Sequence, residues 1–153
     1  MSALRIAAIL LLCPDPAATA AFYAAAFGAA AAPHGVALGA QTIELAPASE
    51  PPGAPAPSES TGFQHCAIVV PDMDRAYAHL RGVAGWTPIS RAGPERLPAA
   101  SGSVTAFKFR DPDGHPLELL AFPSGAVPPA WRERSGLFLG IDHTAITVAD
   151  TER

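Results

Sequence analysis

Residues 64–75, QHCAIVVPDMDR, and residues 142–153, DHTAITVADTER, are two copies of one segment. His65 aligns with His143, Ala67 with Ala145, Ile68 with Ile146, Val70 with Val148, Asp72 with Asp150 and Arg75 with Arg153. Such self-similarity points to a repeated supersecondary unit. Each copy reads as a strand of small and β-branched residues running into an aspartate that stands where a helix N-cap would, its carboxylate free to accept backbone N–H bonds. A fainter copy opens the chain in AAILLLCPDPAATAAFYAAAF, where Pro14-Asp15 aligns with Pro71-Asp72 and Pro16 suits a first helical position. In that register Ala8 stands in the place of His65. Short strands follow each helix and end in TIELA (42–46) and PLELLAF (116–122), so Glu44 corresponds to Glu118. The unit is strand, helix, three strands.

The repeat sets the expected boundaries. A degenerate first module covers residues 4–47 and a second covers 62–123, joined by a linker over 48–61 rich in proline, serine and glycine. A second linker covers 124–138, and residues 139–153 hold the first strand and helix start of a third module. Only Thr151 to Arg153 follow its cap, too few to offset helix nucleation. The expectation is either a chain cut from a longer protein or a last strand recruited to another use, at a sheet edge of this chain or of a second subunit.

With 153 residues the chain suits one compact domain or two small modules sharing an interface. A net charge of −4 with little lysine argues against a nucleic-acid partner, because such affinity rests on clustered cations. Cys13 and Cys66 fall in apolar strand-like stretches and form no secreted disulfide framework, which suits reduced thiols in a cytoplasmic protein. The stretch LRIAAILLLC (4–13) also reads as a leader's apolar segment. It is too short to span a bilayer, and its place in the repeat favours a strand.

Tandem units of this kind, with a histidine opening the first strand, FRDPDGHPLELLAF closing the last and GIDHTAITVAD opening another, resemble the vicinal oxygen chelate superfamily. That superfamily includes glyoxalase I, extradiol dioxygenases, fosfomycin resistance enzymes and bleomycin-binding proteins. The resemblance implies an α+β fold of tandem βαβββ modules whose curved mixed sheets surround a cavity. It also implies metal ligands on the first and last strands of the modules. Carried onto this chain, these are His65 and Glu118 of the second module and Glu44 of the first, while Ala8 offers no donor. His143 either begins a catalytic pair or brings its imidazole where Ala8 has none.

Imidazole and carboxylate together suit divalent Fe, Mn, Zn, Ni or Co, leaving positions for substrate oxygens. The implied function is a metal-dependent lyase, isomerase or ring-cleaving dioxygenase acting on a small oxygen-rich molecule, with Glu118 or Glu44 able to serve as general base if uncoordinated. Its rival is a non-catalytic binding module of the bleomycin-resistance type, or a vestigial N-terminal domain of a larger dioxygenase. A homodimer could complete the cavity. Glu118 shares its strand face with Leu120 and Phe122, which suits a cavity wall, although a strand-end carboxylate can also reach solvent. His34, His79 and His115 read as surface residues of turns and a helix, and Trp86 and Trp131 as packing aromatics, with the lining of a substrate pocket the alternative.

Overall fold

In a computed structural model, which describes residues 6–49 and 62–149, each helix of the repeat starts where the sequence places its aspartate. The Asp15 carboxylate accepts from the N–H groups of Ala17 and Ala18 at 3.0 and 3.1 Å. Helix α1 (Pro16–Phe27) then runs to Gly28, whose φ of +64° closes it in a left-handed turn. Asp72 caps α2 (Met73–Arg81) by accepting from the Arg75 N–H at 3.0 Å, and α2 buries Met73, Ala76 and Leu80 along one stripe. Capping of this kind stabilises a helix by about 1 kcal/mol.

The first unit supplies β1 (Ala8–Cys13), β2 (Ala30–Ala32), β3 (Gly35–Leu38) and β4 (Gln41–Pro47), which form a four-stranded sheet in the order β1-β4-β3-β2. The segment that also reads as a leader is therefore β1, parallel to β4. The second unit supplies β5 (Gly62–Val69), the two-residue strands β6 (Thr87–Pro88) and β7 (Glu95–Arg96), β8 (Thr105–Arg110) and β9 (Pro116–Ala121). With β10 (Gly140–Thr147) at its edge, their sheet runs β10-β5-β9-β8-β6, with β7 also on β8. The α+β class and the strand-helix-strands order expected from the repeat are both present.

The edge strand β10 (Gly140–Thr147) is the strand expected to open a third unit, and it lies antiparallel to β5. Asp150, its expected helix cap, falls outside the described residues, as does most of the 48–61 linker. Within the 124–138 linker a short helix, α3 (Pro129–Arg132), buries Trp131.

Alternation along the strands sorts the side chains. Cys66, Ile68 and Val70 from the β5 stretch and Leu117 and Leu119 from β9 enter the main core, which also holds Phe22, Tyr23, Phe27 and Ile43 of the first unit. Phe27 and Phe109 meet across the two units with ring centroids 6.3 Å apart. Both cysteines are free and buried, and burial pushes the Cys66 thiol up to about 12. Among the described residues no helix is long and apolar enough to cross a membrane.

Candidate metal centre

The residues that alternate with this core face the other side of the second sheet. β5 pairs in parallel with β9 so that Ala67 lies beside Glu118, which puts His65, Ala67 and Glu118 on one face. Leu120 packs there against Ala67 and Val104, making an apolar floor. Only 3 % of Glu118 and 8 % of His65 are exposed. A carboxylate so enclosed needs a cation or strong donors.

β10 supplies the third group through an irregularity. Ile141 pairs with Ile68 but His143 with Ala67, so Asp142 is an extra residue in the ladder, a β-bulge. Bulges re-aim side chains, and this one brings the His143 ring to 5.4 Å from the His65 ring. His65 Nε2 lies 2.9 Å from Glu118 Oε2 and 3.4 Å from His143 Nε2, and His143 Nε2 is 3.9 Å from Glu118 Oε2. Donors bound to one ion at about 2.1 Å, with cis angles between tetrahedral and octahedral, stand roughly 3.0–3.4 Å apart. The 2.9 and 3.4 Å separations stand at the ends of that range and the 3.9 Å one lies beyond it, so the donor set suits a divalent metal in kind and His143, the more exposed ligand, would have to move closer to Glu118. Two imidazoles and one carboxylate on a single side are the donor types of a facial triad, a set that would leave further positions open on a bound ion.

The two histidines differ in support. Asp142, the bulged residue, takes His143 Nδ1 at 2.9 Å, and Trp131 Nε1 donates to the other Asp142 oxygen at 2.9 Å. A carboxylate on the distal nitrogen is the usual orienting partner of a ligating histidine. The hydrogen bond with Asp142 raises the His143 pKa, with burial and the Lys108 charge acting the other way. The same bond, from the other side, lowers the Asp142 pKa. His65 Nδ1, by contrast, is buried without a hydrogen-bond partner among the described residues. Its ring is held by packing and by what lies at Nε2. A cavity of about 340 Å³ borders His143, lined also by Gln41, Trp131, Arg134, Asp142 and Thr144.

Glu44 is not brought to this group. It lies exposed on β4 of the other sheet, between Leu10 on β1 and Gly35 on β3. Ala8, at the start of β1, is exposed as well. Asp142 is missed by the sequence reading; the Asp-His pair in "IDHT" is the available signal, but its meaning depends on the bulge. Trp131, read as packing or as lining a pocket, is buried and also borders the cavity beside His143.

A second carboxylate-histidine cluster corrects the surface reading of His115. Its Nδ1 lies 2.8 Å from Asp111 Oδ2 and its Nε2 2.9 Å from the Leu12 carbonyl of β1, so both ring nitrogens face acceptors. Burial opposes its charge most strongly, yet the Asp111 hydrogen bond and charge, the Leu12 carbonyl and the Asp113 charge together outweigh it and the pKa is raised. Tyr23 of α1 donates to the same Asp111 oxygen at 3.1 Å, and Thr19 donates to Asp113. These groups fasten the β8–β9 turn to the first unit. His34 and His79 are exposed as expected, the latter 3.0 Å from the Ala25 carbonyl.

Comparison with known proteins agrees with this architecture. The model of the Glyoxalase/Bleomycin resistance protein/Dioxygenase superfamily matches residues 5–119. No curated protein matches. Among solved structures, an integron cassette protein from the mobile metagenome of V. cholerae is 23 % identical, with a TM-score of 0.58 over 80 % of this chain and 98 % of that one. The lactoylglutathione lyase of Agrobacterium tumefaciens is 21 % identical, with a TM-score of 0.54 over 76 % and 92 %. The oxidase ChaP-H2 is 22 % identical, with a TM-score of 0.57 over 81 % and 98 %. At these identities the likeness shows the fold. The family match, together with that shared fold, places the chain in the glyoxalase, bleomycin resistance protein and dioxygenase superfamily.

Proposed function

We propose that His65, Glu118 and His143 hold one divalent transition metal, at which a small oxygen-rich organic molecule is bound and transformed. The convergence of the three donor atoms, on a buried face with an apolar floor, carries this reading. Such a metal would act as a Lewis acid toward adjacent substrate oxygens. The protein's own part is to orient the ligands and shape the hollow: Asp142 holds the His143 ring, and the sheet face of Ala67 and Leu120 excludes water on one side. The two-histidine, one-carboxylate set favours ring-cleaving or other oxygenase chemistry on a vicinal diol, with lyase or isomerase chemistry the other members of the same class.

A metal-free ligand-binding module is the second reading. The exposed Ala8 and Glu44 support it, since the first unit adds no donor to the group. Elemental analysis of protein purified without chelator decides between the two. The metal reading expects close to one equivalent of Fe, Mn, Zn, Ni or Co, lost in His65→Ala and in Glu118→Ala. Protein without metal that takes up none of these ions on titration, and whose fold is unchanged by His65→Ala, would overturn it.

A further inference from the structure

The first unit lacks a ligand, yet one of its side chains reaches the strand that carries His143. Gln41, at the start of β4, is 9 % exposed and bonds the backbone of Ile141 twice. Its Oε1 accepts the Ile141 N–H at 2.9 Å, and its Nε2 donates to the Ile141 carbonyl. Both of these Ile141 groups are turned away from β5, since they meet Gln41 on the strand's other edge. One side-chain amide thus does there what a neighbouring strand's peptide would do, and it closes part of an otherwise open sheet edge.

The rest of the contact is equally close. A Cβ at Gly140 would stand 2.6 Å from Gln41 Oε1, and one at Gly39, in the β3–β4 turn, 2.5 Å from the Leu139 carbonyl. Neither position has room for a side chain. Arg134 donates to that same Leu139 carbonyl at 3.0 Å. The β3–β4 hairpin is therefore seated on residues 139–141, immediately before the bulge at Asp142 that aims His143.

We infer that Gln41 is a positioning residue: its amide locks Ile141 and so fixes the bulge that presents His143 to His65 and Glu118. The first unit, though without ligands, serves as the clamp of the centre built by the other strands. Two hydrogen bonds on one residue leave β10 unable to slide or twist there without breaking both, and a bulge is the place where a ladder gives most readily. This inference rests on the reading of His143 as a metal ligand, and its test separates the two.

Cobalt(II) is the probe, followed by its d–d absorption. Wild type is expected to bind one equivalent. Gln41→Leu, which keeps the volume and loses both bonds, is expected to bind cobalt at least about tenfold more weakly, the loss usual for a ligand's supporting contact, and with a changed d–d spectrum. Gln41→Glu, which keeps the acceptor for the Ile141 N–H, should fall between. A readout without metal accompanies it: the nuclear Overhauser contact between the His65 and His143 rings should vanish in Gln41→Leu, while the Tyr77–Phe107 contact, with centroids 4.7 Å apart, persists as the mark of an intact fold. Should Gln41→Leu not fold, Gln41→Glu decides by the same two readouts. Cobalt affinity within twofold of wild type together with a retained ring contact overturns the clamp. Wild type that takes no cobalt, but loses the ring contact on substitution, would instead sink the metal centre and keep the clamp.

Discussion

At the scale of single residues, the proposed centre depends on which partner each imidazole has on its distal nitrogen. His143 has Asp142, itself held by the Trp131 indole, whereas His65 has none among the described residues. Removing the carboxylate should therefore fall mainly on His143. Asp142→Asn keeps the shape and is expected to reduce metal affinity by roughly 10–100-fold, as the loss of a carboxylate behind a ligating histidine does, with the apoprotein's melting temperature little changed. Isothermal titration with zinc, beside a melting curve, checks both parts, and equal zinc affinities would deny Asp142 its orienting role. The meeting of His65 and Glu118 on one buried face was legible in the sequence because each interrupts an apolar run at a repeat-defined position. Asp142 was not legible, because a carboxylate next to a histidine points across the strand in a regular ladder and only a bulge turns it back. Nor could the sequence separate Glu44 from Glu118. They occupy equivalent positions, and what differs is the neighbourhood: β10 extends the second sheet beside β5 and brings His143 to within 3.9 Å of Glu118, whereas Glu44 on the first sheet is exposed.

Among elements, β10 makes the difference. Its pairing with β5 joins residues far apart in the chain, and the sequence offered two destinations for it without a local signal to choose between them. Strand, cap and helix of the first two units were legible because they are local: an apolar strand-like run, a capping aspartate after it and, in the second unit, an apolar stripe along the helix. A strand's edge partner is a tertiary matter. Gly140 opens β10 at φ +140°, against the Gln41 side chain. Gly140→Ala should accordingly cost about 1–3 kcal/mol, from an unfavourable backbone conformation and from displacement of the amide. Urea unfolding would show this as a lower midpoint with an unchanged slope. Gly28→Ala is the comparison: its φ is also positive at +64°, but a Cβ there meets nothing within 4 Å, so the cost should be limited to backbone strain and be the smaller of the two.

Across the whole molecule, the two units are joined by an aromatic core and, at one end, by a polar clasp. Phe27 meets both Phe109 and Phe138, the latter at 5.4 Å, so α1 of the first unit is built into the core of the second. The clasp is Asp111 with His115, Tyr23 and the Leu12 carbonyl. A neutral imidazole has one N–H and can satisfy only one of two acceptors, whereas the imidazolium satisfies both. The charged form is thus the one this site prefers, in keeping with the raised pKa of His115. The consequence for stability has a definite sign. A histidine whose folded pKa lies above its unfolded value of about 6.5 contributes its full stabilisation below that value and loses it as the pH rises through the folded pKa. His143 adds a term of the same sign, so the wild-type profile alone would mix the two. The difference between wild type and His115→Gln isolates the clasp, because glutamine can keep one of the two bonds at any pH. The midpoint of urea unfolding should separate the two proteins more widely at about pH 5.5 than at about pH 8.5. An equal separation at both would mean that His115 holds the units together by shape, with its charge contributing nothing.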